Sequence, residues 1–174
     1  IPAAVALVVI ALPLTTVLFQ RGAFGADDAA ATALALAIYG AGLPAFVLHK
    51  VFQPLYYARE DTRSPFRFAV WSMIVNAVIA VGLLPLIGFS AAALATTLSG
   101  WIMVLQLWLG TRKMGEEARF DARFRQRLPR ILLSSALMGG ALWFGMVALG
   151  PLLGTEGWRY AALALLVALG MGTY

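Results

Sequence analysis

The chain of 174 residues has no cysteine, one histidine and only eight acidic side chains. The missing thiols remove disulfides, thiolate nucleophiles and Cys-containing zinc sites. The lone His49 reads as a hydrogen-bonded structural residue rather than a proton relay. Acids are few, and Glu60-Asp61 is a compact pair near an apolar run, flanked by arginines. Hydrolytic or transfer chemistry on a membrane substrate needs a clustered acid, His or metal-ligand set, so no catalytic site, metal or cofactor is expected. Charge of any sign is scarce, at 12% against 61% hydrophobic residues, which excludes an ordinary soluble domain.

What is present is a succession of six apolar runs, at 1–19, 29–56, 66–86, 90–111, 130–150 and 158–174. Most are long enough to cross a hydrocarbon core of about 30 Å at about 1.5 Å per helical residue. The expected class is therefore all-α, a polytopic membrane protein with six transmembrane helices.

Ten of the thirteen Lys and Arg residues lie in or beside two of the five gaps. The second gap has Arg59, Arg63 and Arg67; the fourth has Arg112, Lys113, Arg119, Arg123, Arg125, Arg127 and Arg130. The first sets Arg21 against Asp27 and Asp28, the third is uncharged, and the fifth has Glu156 and Arg159. Short positive loops stay in the cytoplasm, which puts gaps two and four there together with both chain ends. The net charge of +5 is thus a topology signal, with contact to anionic lipid headgroups as a second use, and no nucleic acid partner is implied. The chain opens inside an apolar run without an initiator Met, and we read it as a C-terminal portion of a longer protein.

Helix punctuation is legible in places. Asp27 and Asp28 before the Ala-rich run suit a helix N-terminus, and Ser64-Pro65 suits a helix start. Pro13 and Pro44 lie inside apolar runs and should kink them. In the fourth gap, Phe120, Phe124 and Leu128 recur at four-residue spacing beside a row of Arg119, Arg123 and Arg127, the pattern of a helix lying in the headgroup layer. Gly40-Ala41-Gly42 and Gly139-Gly140-Ala141 suit close helix packing, and Asn76 and Gln106 suit interhelical hydrogen bonds.

Lys50 is the most costly residue inside a run, since a charge near a helix centre costs about 2.5–3.5 kcal/mol on insertion scales. Two readings stay open. Its ammonium reaches up to the cytoplasmic headgroups, or it faces a hydrated cavity and attracts an anionic substrate.

The stretch Tyr57-Ala58-Arg59-Glu60-Asp61-Thr62-Arg63-Ser64-Pro65 closely resembles a cytoplasmic loop of the MurJ (MviN) lipid II flippases, within a superfamily of exporters. Leu18-Phe19-Gln20-Arg21-Gly22-Ala23-Phe24 is similar to that family's turn before it. Gly42-Leu43-Pro44 with Val47 and Lys50 is similar to the helix that follows that turn, and Gly88 leading to Leu94-Ala95-Thr96 to the next helix pair. The resemblance implies a fourteen-helix transporter fold, of which residues 1–111 supply four helices of the C-terminal transport lobe. Residues 112–129 would form a basic cytoplasmic connector, and residues 130–174 two extra helices that make a groove for the lipid tail. It also implies flipping of lipid II, a polyprenyl pyrophosphate-linked peptidoglycan precursor, across the bacterial inner membrane without covalent chemistry, in concert with an N-terminal lobe of the same protein. On that reading Lys50 faces the cavity, and Arg59, Asp61 and Arg63 belong to a cytoplasmic gate loop. Two departures are visible: Leu34 stands where some relatives have an outer arginine, and Ala80 stands where some have the carboxylate of a sodium site. Related exporters of oligosaccharide-lipids or drugs remain an alternative, as does, more remotely, a polyprenyl-phosphate membrane enzyme.

Overall fold

The computed structural model describes residues 1–115, 122–155 and 157–174. Seven α-helices follow one another among them: α1 Pro2–Val9, α2 Ala11–Phe19, α3 Ala26–Tyr57, α4 Arg63–Ile87, α5 Ser90–Thr111, α6 Ala122–Leu153 and α7 Arg159–Thr173. A short 3-10 turn, Arg112–Met114, ends α5. Four helices (α3, α4, α5 and α6) are long and apolar enough to cross a membrane. The first apolar run is the pair α1 and α2, bent by 65° at Ile10, and counting it as one span gives five. The last run is α7, whose 15 residues span about 22 Å.

The bend has a local cause. Pro13 has no N–H to give the carbonyl four residues back, at Val9, and its ring crowds that carbonyl, so the helix breaks there and restarts. Pro44, of which the sequence suggests the same, sits in an uninterrupted α3. A single lost backbone bond does not break a helix of 32 residues whose neighbouring turns stay intact.

The chain divides into two compact units, residues 1–41 with 126–174, and residues 42–125. In the first, Ile10, Met138, Leu142 and Leu166 form the apolar centre. Small residues bring backbones close: a Cβ on Gly40 would lie 3.1 Å from Leu7 Cβ, and one on Gly139 would lie 2.7 Å from a methyl of Val5. Thr15 is buried and its hydroxyl lies 3.0 Å from the Ala11 carbonyl of its own helix and 3.2 Å from that of Ala29 in α3.

In the second unit α5 is the central helix. Gly88, with φ +60°, and Phe89 turn α4 tightly back into α5, a conformation that L side chains rarely adopt. Ala91, Ala93, Ala95, Thr97 and Ser99 are buried along α5, at positions that fall on more than one side of the helix. Farther along, Met103, Val104 and Leu107 pack with Ala45, Phe52 and Tyr56 of α3. By contrast α4 buries only Pro65 and Ser72, leaving Trp71, Met73, Val78, Val81 and Leu86 exposed, as expected of a lipid-facing helix.

Two helix starts differ in detail from the sequence reading. Asp27 and Asp28 lie in the first turn of α3, with the Asp28 carboxylate accepting from the Gly25 N–H at 2.9 Å. Helix α4 begins at Arg63 rather than at Pro65, and its capping acceptor is Asp61, whose carboxylate takes the Ser64 N–H at 3.0 Å. Helix α6 is already under way at Ala122, eight residues ahead of the run at 130, so residues 122–129 of the connector are continuous with it. Arg119 and Phe120 of the amphipathic pattern lie outside the described residues.

Candidate functional site

The site is built on the second half of α3. His49 is partly buried and its Nε2–H donates to the Gly100 carbonyl of α5 at 2.9 Å, which fixes the rotation of α3 and makes His49 a structural residue. A Cβ on Gly100 would lie 3.1 Å from the Phe46 ring, and one on Gly42 would lie 2.9 Å from the Thr97 hydroxyl, so each glycine lets a side chain of the facing helix pack against its backbone. One residue along, Lys50 points about 100° away around the helix. It is exposed and has no hydrogen bond or ion pair among the described residues. It stands seven residues before the end of α3 at Tyr57, a rise of about 10 Å.

Two turns later Tyr56 is buried, with its hydroxyl donating to the Leu107 carbonyl at 2.7 Å. The helix then closes in a Schellman turn: the Asp61 N–H reaches the Tyr56 carbonyl and the Glu60 N–H the Tyr57 carbonyl. Glu60 takes the left-handed position at φ 58°, usually given to glycine.

The Glu60-Asp61 pair thus has a structural use, one residue ending α3 and the other starting α4. Hydrogen bonds from Ser64 hold the Asp61 carboxyl below the usual carboxylate range, with the Arg63 charge adding to the effect. Arg59 donates to the Met114 carbonyl beyond α5, and Arg112 lies over the Trp108 ring at 4.1 Å. The second gap and the start of the fourth therefore meet at one end of this unit. Arg59, Asp61 and Arg63 come together in that loop, while Lys50 stands apart from them, below it on α3.

Polar residues between α4 and α5 form a second set. Asn76 Nδ2 donates to Thr96 Oγ1 at 3.3 Å and to Ser99 Oγ at 3.2 Å, and the Ser72 hydroxyl donates to the Ser99 carbonyl at 2.8 Å. These are the interhelical bonds the sequence suggests for Asn76. Gln106 differs, since its Oε1 is buried with no partner among the described residues.

Sequence reasoning missed a contact in the other unit. Arg21 and Arg159, far apart in the chain, both lie beside the Tyr160 ring, at 5.7 and 5.2 Å from its centroid. No periodicity or motif signals such a pairing. In the same unit a groove of about 360 Å³ opens between α1, α6 and α7, lined by Ala6, Ile10, Met138, Leu142, Gly170 and Met171 among others.

Long apolar helices joined by tight turns, with one lysine inside an apolar run, define a multi-pass α-helical membrane protein. The family model described as lipid II flippase MurJ matches residues 1–155. The chain belongs to the lipid II flippase MurJ family. It is 37% identical, over an alignment of 177 residues that covers the whole chain, to a probable lipid II flippase MurJ of Rhizobium tropici, and spans 33% of that protein. It is 41% identical over 143 residues, or 82% of the chain, to the corresponding protein of Rhizobium meliloti (strain 1021), and spans 26% of that one. Among solved structures, a lipid II flippase MurJ in an inward closed conformation shares the fold at a TM-score of 0.75 and 23% identity. The match covers 99% of this chain and 34% of that one. The chain thus spans about a third of the length of the relatives it matches.

Proposed function

We propose that this chain forms part of a flippase that carries lipid II from the inner to the outer leaflet of the bacterial cytoplasmic membrane by alternating access. No bond is made or broken in such a process, so the protein acts by binding and by changing shape, not as an enzyme. Family membership supports the substrate class, and the observation that carries the residue-level reading is Lys50, an exposed ammonium on an apolar helix with no partner among the described residues. A cation kept inside a span at a cost of about 2.5–3.5 kcal/mol needs a use.

Its use here is to attract the pyrophosphate of the substrate. At about 4 Å, the attraction between unit charges rises from about 1 kcal/mol in water to about 4 kcal/mol at an effective dielectric constant near 20. The loop of Arg59, Asp61 and Arg63 acts as the cytoplasmic gate, with Arg59 linking it to the end of α5. That link supports placing gaps two and four on one side, the cytoplasmic one, with both chain ends there too. Residues 1–111 serve as the transport lobe and 112–129 as a basic connector at the lipid headgroups. The helices of 130–174, with α1, offer the apolar groove for the polyprenyl tail, whose lining carries nothing to reject hydrocarbon. The rest of the cavity comes from the N-terminal lobe of the same protein.

The test is substitution in a full-length protein carrying this chain. Lys50→Ala should reduce lipid II flipping about tenfold or more at unchanged membrane level, and Lys50→Arg, which keeps the charge, should cost less. Full activity of a well-expressed Lys50→Ala protein would remove Lys50 from the mechanism.

A further inference from the structure

Arg21 follows the end of α2 and Arg159 begins α7, and the two guanidinium groups share one aromatic ring, that of Tyr160. Two like charges held beside one ring repel each other. A cation–π contact at an exposed site returns only about 0.5–1 kcal/mol. Their remaining partners are weak: Arg21 donates to the Leu18 carbonyl at 3.2 Å and Arg159 to the Tyr160 hydroxyl at 3.4 Å. Arg159 Nε is shut off from solvent and has no hydrogen-bond partner among the described residues. Among the described residues, the two guanidinium groups thus have one ring and weak neutral acceptors as partners, an arrangement suited to taking up an anion.

The surroundings say which anion. Phe19 and Trp158 are exposed beside the pair, at 56% and 66%, and Tyr160 is exposed at 44%. Exposed aromatic rings at the point where apolar helices end or begin mark the membrane–water boundary, the level of the lipid phosphates. Guanidinium groups bind phosphate oxygens through paired N–H donors, and two together suit a phosphodiester.

We propose that Arg21, Arg159 and the Tyr160 hydroxyl form a binding site for the headgroup phosphate of a membrane phospholipid. The site lies wholly within the unit of residues 1–41 and 126–174, and is independent of Lys50. Its occupant ties the end of α2 to the start of α7, on the unit that also holds the apolar groove.

The experiment uses the full-length protein, delipidated in neutral detergent and titrated with short-chain phosphatidylglycerol, with bound lipid counted by native mass spectrometry. Retention should weaken about 30-fold in Arg21→Gln/Arg159→Gln, from about a factor of five for each interfacial charge. Arg21→Lys/Arg159→Lys should weaken it only a few-fold, since charge is kept and the fork of donors lost. Arg130→Gln should leave it unchanged, diacylglycerol should not bind, and equimolar inorganic phosphate should not displace the lipid. Unchanged retention in the Gln pair overturns the proposal, as does an equal loss in Arg130→Gln. Displacement by inorganic phosphate overturns the lipid assignment in favour of a free anion. If the Gln pair does not fold, the Lys pair decides, and unchanged affinity there is also refuting.

Discussion

The hold of α3 on α5 rests on Tyr56, and Gly110 is the position that reports on it. The Tyr56 hydroxyl donates to the Leu107 carbonyl at 2.7 Å, and a Cβ built on Gly110 would overlap that hydroxyl, while the ring carbon bearing it is 3.2 Å away. Tyr56→Phe removes one buried hydrogen bond and should cost about 1 kcal/mol. Gly110→Ala drives a methyl into the hydroxyl and should cost about 1–3 kcal/mol by overpacking. In the double variant the added methyl occupies the space the hydroxyl vacated, so stability should return to within about 1 kcal/mol of the parent. The two changes should therefore be coupled by about 1–3 kcal/mol, measured as a double-mutant cycle of unfolding in mixed micelles. Additivity within about 0.5 kcal/mol would refute the packing described for this helix pair.

Glu60→Gly, at φ 58°, should stabilise the loop between α3 and α4 by about 1 kcal/mol, read as slower exchange of the Asp61 amide; no gain would mean that Glu60 is not held left-handed. The Asp61 cap should be pH-dependent. Its folded pKa is depressed, so its contribution is present above the ordinary carboxylate range and is lost as pH falls through the depressed value. The Ser64 amide should lose protection over that acidic window, and Asp61→Asn should flatten the profile. Asn76→Ala removes two interhelical bonds and should cost about 1 kcal/mol in the same micelle assay, with Thr96 and Ser99 variants non-additive to it.

Much of the fold was legible because a span's length and apolarity are properties of composition. The bend at Ile10 follows from Pro13 through the carbonyl it cannot serve, yet Pro44 obeys the same rule and leaves α3 whole, because surrounding turns decide whether one lost bond breaks a helix. Lys50 stood out in the sequence as a charge in an apolar run. In the sequence Glu60 and Asp61 show only as a compact acidic pair, and the backbone reveals them as the stop of one helix and the start of the next. The start signal at Ser64-Pro65 misled for the same reason, since a carboxylate three residues ahead of Ser64 takes the N–H that would have needed capping. The pairing of Arg21 with Arg159 depends on two helix ends meeting in space, which no local pattern encodes.

The most direct test of the account is whether a full-length protein carrying this chain restores lipid II to the outer leaflet of bacteria depleted of their own flippase, with Lys50→Ala run beside it. The account predicts rescue by the parent protein and failure of the variant at equal membrane abundance. Absence of rescue by a well-expressed parent would contradict the proposed cargo, and equal rescue by the variant would contradict the role given to Lys50.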